Sequence, residues 1–92
     1  MNREELIETI AQETGETKAA SERFLTSFLN TVQTRVAAGD RVALLGFGTF
    51  EVSNTAARTG RNPATGDAIE IPAKRRPKFK AGKQFAAKVQ NG

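Results

Sequence analysis

Residues 57–66 read Ala57-Arg58-Thr59-Gly60-Arg61-Asn62-Pro63-Ala64-Thr65-Gly66, and none of the ten is a large apolar residue. A segment of that composition cannot bury itself, so the fold must be built from the chain on either side of it. Shortly after it comes a second constraint. Six of the ten residues from 74 to 83 are basic (Lys74, Arg75, Arg76, Lys78, Lys80, Lys83), none is acidic, and Pro77, Phe79 and Gly82 lie among them. An unburiable stretch beside dense positive charge points away from catalysis and toward a polyanion, of which nucleic acid is the leading candidate.

The chain has 92 residues, enough for one small domain. With 26% charged and 38% apolar residues it has the composition of a soluble globular protein. The net charge of +4 hides an asymmetry: residues 1–57 hold five basic and eight acidic side chains, residues 58–92 nine and two. A basic run is often only a solvated face, but this density without acids exceeds ordinary mixed surface charge. There is no cysteine and no histidine, which removes disulfides, soft metal sites and Cys–His or Ser–His nucleophile pairs. No metal or cofactor is expected. Residues 1–5 include Glu4 and Glu5 and lack a long apolar run, so neither a signal peptide nor a membrane span is expected, and the chain should stay in the cytoplasm.

Asn2 is a suitable N-cap with Glu5 three residues on, and Leu6, Ile7, Ile10 and Ala11 follow at helical spacing until Gly15. Thr17 caps a longer helix with Phe24, Leu25, Phe28, Leu29, Val32 and Val36 along one side, closed by Gly39-Asp40. Val42, Leu44 and Leu45 begin a strand, and Gly46-Phe47-Gly48 turns with both glycines at positive φ. Residues 49–56 then alternate, with Phe50, Val52 and Ala56 on one face. Residues 59–66 are turn-forming; Ile69 and Ile71 return as a strand; Pro72 and Pro77 limit regular pairing after it. Residues 82–89 form a short final helix.

This core does not balance for a monomer. The second helix has an apolar stripe too wide for one short helix and a small sheet to cover. A homodimer solves this economically, with Leu25, Phe28, Leu29, Val32, Leu44, Phe47, Phe50 and Phe79 as its expected shared core.

Arg58-Thr59-Gly60-Arg61-Asn62-Pro63, Gly46-Phe47-Gly48-Thr49-Phe50 and Phe79-Lys80-Ala81-Gly82-Lys83 together are specific. Through them the sequence resembles the HU/integration host factor family of bacterial DNA-architectural proteins, over residues 1–89 and closer to its HU branch. The resemblance implies an α+β fold: an intertwined dimer with a helical base, a small antiparallel sheet per chain, an extended β-ribbon DNA-binding arm and a short C-terminal helix. It divides one domain into a dimerisation body (1–53), an arm (54–73) and a basic flank with the final helix (74–92). It implies nucleoid-associated binding in the minor groove with little sequence preference, the established mode of the family, in which an apolar wedge kinks the duplex. Pro63 matches that wedge, although Asn-Pro is also an ordinary turn former. Arg58, Arg61 and Asn62 lie beside it on the arm, and Lys74, Arg75, Arg76, Lys78, Lys80 and Lys83 are assigned to phosphates. Ser53 and Thr55 stand where the family is often basic, while residues 74–78 are more basic than usual. Double-stranded DNA is the implied partner, with bent, nicked or gapped forms favoured, and a heterodimer with a paralogue is a further option.

Other readings are weaker. Gly46-Phe47-Gly48 lacks the third glycine and following helix of a dinucleotide loop. The second helix lacks the clustered basic and amide side chains of a recognition helix. Phe79 could stack on a base, but anchoring the basic run to the body suits it better. The remaining alternatives are a subunit of a sequence-preferring heterodimer and an RNA-binding structural protein. An enzyme is the most distant, because Asp40, Asp67 and the glutamates show no paired arrangement.

Overall fold

A computed structural model describes residues 1–92, which divide into two compact units, Met1–Thr34 and Arg35–Gly92. The first unit holds helix α1 (Arg3–Thr14) and most of helix α2 (Lys18–Ala37). Both begin as their caps dictate. Asn2 Oδ1 accepts the Glu5 N–H at 2.8 Å, and Thr17 Oγ1 accepts the Ala20 N–H at 3.0 Å. Gly15 ends α1 in the left-handed region, at φ 72, and its N–H returns to Ala11 O. An Arg3–Thr26 hydrogen bond of 2.6 Å and a Lys18–Glu8 ion pair of 3.2 Å join the helices at the surface. Ile7 is buried, and so is Ser21, whose Oγ has no hydrogen-bond partner.

In the second unit α2 ends in a Schellman motif. The Asp40 N–H reaches Arg35 O and the Gly39 N–H reaches Val36 O, both at 2.9 Å, with Gly39 at φ 95. Strands β1 (Val42–Leu44), β2 (Gly48–Thr55), β3 (Arg58–Arg61), β4 (Ala68–Ile71) and β5 (Lys74–Ala81) follow, then helix α3 (Lys83–Asn91). They form a three-stranded antiparallel sheet in the order β1-β2-β5 and a two-stranded antiparallel ribbon, β3-β4. The α+β class with small antiparallel sheets and a short final helix is therefore as expected. No helix is long and apolar enough to cross a membrane.

Three local expectations change. Residues 59–61 of the expected turn stretch are strand, part of β3, because β4 returns opposite them with Thr59 facing Glu70 and Arg61 facing Ala68. Pro77 does not interrupt pairing: it sits opposite Val52 inside β5. β5 is an edge strand, so a residue without an N–H can occupy it without breaking the ladder. Gly46 has φ 84, but Gly48 is not in the positive region. Gly48 is required for a different reason: a Cβ there would lie 2.5 Å from Lys80 O and 2.6 Å from the Phe79 ring.

The apolar side chains of the second unit gather around Phe47. Its ring lies 5.2 Å from Phe85, 5.4 Å from Phe79 and 6.3 Å from Phe50, and Phe50 and Phe79 are 4.9 Å apart as cross-strand partners. Phe79 thus anchors the basic strand to the sheet, as expected. Yet burial in the single chain is slight. Ile7 and Val36 are its only buried hydrophobic residues, while Phe28, Leu29, Phe47 and Phe79 of the expected shared core stay exposed. Leu25, Val32, Leu44 and Phe50 are half-buried.

Candidate nucleic-acid interface

Strand alternation divides the basic run into two sets. On β5, Lys74, Arg76, Lys78 and Lys80 share one face, opposite Thr55, Ser53, Glu51 and Thr49 of β2. Arg75, Pro77 and Phe79 point to the other face, opposite Asn54, Val52 and Phe50. The four same-face cations recur every second residue, a spacing of about 6.8 Å along an antiparallel strand. All four are exposed, and none forms an ion pair. Such a row costs self-repulsion and contributes nothing to the core, so its value lies in a counter-anion.

Arg75 has a separate place. Its Nη2 donates to Ala37 O at 3.2 Å, satisfying a carbonyl at the C-terminal end of α2 and complementing the negative end of that helix dipole. Lys83 opens α3, where the dipole favours an acid rather than a base. Its charge therefore does not serve the helix. The Gly82 N–H before it is held by Phe47 O at 2.8 Å, which fixes where the lysine emerges.

In the β3-β4 ribbon the two arginines fall on opposite faces. Arg58 and Gly60 share a face with Ile69 and Ile71, while Arg61 shares one with Thr59, Ala68 and Glu70. The connection at the tip is closely hydrogen-bonded. Asn62 Oδ1 accepts the Ala64 N–H at 2.9 Å, Asn62 O accepts the Gly66 N–H at 2.7 Å, and the Asn62 N–H donates to Asp67 O at 2.8 Å. Arg61 reaches Gly66 O at 3.5 Å, and Gly66 takes the left-handed conformation at φ 75. Pro63 follows the Asn62 cap at the position where its fixed φ suits a helical turn, and it is exposed. Turn former and exposed wedge are thus compatible descriptions of the same ring.

Two features of this surface escaped the sequence reading. One is the division of the run by face, which the period-two order of Lys74, Arg76, Lys78 and Lys80 would have given once 74–81 was taken as a strand. The other is a cross-strand pair, Arg41 with Glu51, at 3.3 Å.

A three-stranded sheet with one cationic face, continued by a ribbon carrying an arginine on each side, defines a small basic protein of the β-ribbon type. The chain belongs to the bacterial DNA-binding protein family, whose sequence profile matches residues 1–90. It is 52% identical over 83 residues to DNA-binding protein HU-beta of Neisseria meningitidis serogroup A, covering 90% of this chain and 93% of that one. DNA-binding protein HU of a Nostoc species is 46% identical over 89 residues, covering 97% and 95%. Among solved structures, the HU chain of an Anabaena HU–DNA cocrystal superimposes with a TM-score of 0.86 at 44% identity over the whole of both chains. HU from Thermotoga maritima gives 0.69 at 30% identity, covering 97% of this chain and 98% of that one.

Proposed function

We propose that this chain is an architectural DNA-binding protein that acts as a homodimer, enters the minor groove with little sequence preference, bends the duplex and compacts the nucleoid. The observation that carries the reading is the unpaired row Lys74, Arg76, Lys78 and Lys80 on one face of the sheet. Phosphates neutralised by that row and by Lys83 supply affinity without sequence information. Arg58, Arg61 and Asn62 carry the contact along the ribbon, where a planar guanidinium reaches acceptors on the groove floor. Pro63 is the wedge: a rigid apolar ring loses no side-chain entropy on insertion, and its turn is already ordered. The HU names of the relatives and the DNA in the Anabaena cocrystal support the same reading.

The homodimer rests on surface. The chain exposes 7546 Å², against roughly 5,200 Å² for a folded monomer of its mass by the usual scaling. The excess of about 2,300 Å² per chain is shared between the exposed β3-β4 ribbon and apolar surface that a second copy would cover. Phe28, Leu29, Phe47 and Phe79 are among the side chains a second copy would cover.

Competition between duplex DNA and duplex RNA of matched length tests the reading. DNA should win at every salt concentration, because the ribbon fits a B-form minor groove and A-form RNA presents a wide, shallow one. Equal competition by RNA would leave only a polyanion binder.

A further inference from the structure

The cationic face of the sheet carries a single carboxylate. Val42 pairs with Phe50, so the next position outward sets Arg41 opposite Glu51, and Lys78 faces Glu51 from the other side. Glu51 thus stands on the central strand between two cations, Lys78 on β5 and Arg41 immediately before β1. Arg41 Nε forms an ion pair with Glu51 Oε2 at 3.3 Å, with the glutamate side chain 22% exposed and the arginine 68% exposed. Every other residue of this face on β2 and β5 is neutral or basic.

We propose that Glu51 limits the grip on DNA by holding Arg41 out of phosphate contact, so that Arg41 is a fifth cation of the face kept in reserve. The proposal rests on the reading that this face meets phosphates. An exposed ion pair is weak, and a phosphate is a competent rival acceptor for an arginine. But transferring Arg41 to phosphate would strand the Glu51 carboxylate, unpaired on this flank, beside the DNA backbone, where like charges repel. The pair therefore stays closed and releases no counterion on binding. Removing the carboxylate alone removes both the hold and the repulsion.

The experiment is a cycle of Glu51→Gln, Arg41→Gln and the double variant, each read as the slope of log binding constant against log salt on a duplex of unrelated sequence. Glu51→Gln should bind more tightly and steepen the slope by about 0.9 per chain, or roughly 1.8 per homodimer. Arg41→Gln alone should leave the slope unchanged, and the double variant should return it to the wild-type value. A flatter slope for Arg41→Gln that persists in the double variant, in which Glu51 can no longer capture Lys78, would show that Arg41 already binds phosphate and would overturn the proposal. So would a steepening that survives undiminished in the double variant, or none in Glu51→Gln. Glu51→Ala repeats the loss of the carboxylate with a different side chain, and melting curves check the fold of every variant. The wild-type titration separates the two levels: no binding to duplex DNA by the unmodified protein would refute the functional reading itself.

Discussion

Arg75 and Arg76 are adjacent in sequence and equal in charge, yet the sheet sends them to opposite faces, so exchanging each for glutamine should do different things. Arg76 lies in the unpaired row with Lys74, Lys78 and Lys80. The proposed homodimer carries it twice, so Arg76→Gln should remove two phosphate contacts and lower the salt slope by about 1.8. Over the fourfold range from about 50 to about 200 mM salt, that changes the loss of affinity by roughly tenfold. Arg75 instead donates to Ala37 O at 3.2 Å. Arg75→Gln should leave the slope unchanged and lower stability by about 0.5–1 kcal/mol, through a lost hydrogen bond and a lost dipole contact. Neutralising Arg75, Arg76 and Lys78 together should therefore cost two contacts per chain rather than three. The assay is fluorescence anisotropy on one duplex across the salt series, with thermal melting alongside. Equal flattening by the two single variants would refute the division of the run by face.

Further outcomes follow from the packing. In the proposed homodimer, where the Phe47 ring serves a shared core, Phe47→Ala should cost about 3–5 kcal/mol and make the sedimentation coefficient concentration-dependent at micromolar protein; a wild-type chain that sediments as a stable monomer would contradict the dimer. Ser21→Ala should stabilise by about 1 kcal/mol, since the Ser21 Oγ is buried without a partner; a lower melting temperature would show that the hydroxyl has one. Gly48→Ala should cost at least about 1–3 kcal/mol, because its Cβ meets backbone at Lys80 and the Phe79 ring. Gly46→Ala should cost about 1–2 kcal/mol by the same melting assay, from the left-handed φ of 84 rather than from contact, because what its Cβ meets is only the flexible end of Gln84.

The helices were legible because their signals are local: Asn2, Thr17, Gly15 and Gly39 each act within one turn of chain. The second strand was legible from its alternation. What could not be read was anything that depends on a partner strand. Residues 59–61 look like turn until β4 is placed opposite them. Pro77 looks like a breaker until β5 is known to be an edge. Gly48 looks like a φ requirement until Phe79 and Lys80 pack on it. The site suffered the same loss. The cations from 74 to 83 were found as a cluster of charge, but their sorting into an exposed row and a helix-end contact at Arg75 needs the strand pairing, and the Arg41–Glu51 ion pair lies outside that cluster altogether.

Pro63, exposed in the hydrogen-bonded turn at the ribbon tip, is the residue proposed to bend DNA. End-to-end energy transfer on intact and singly nicked duplexes measures the bend directly, with the wild type and Pro63→Ala compared at saturation. Unstacking a base step costs a few kcal/mol, and a nick lowers that cost in advance. The wild type should bend both duplexes and bind the nicked one more tightly. Pro63→Ala should keep its dimer and helical content, bend intact DNA less, and show a smaller preference for the nick. Full bending by Pro63→Ala, with the nick preference intact, would leave Pro63 as a turn residue and move the bend to Arg58, Arg61 and the cationic face.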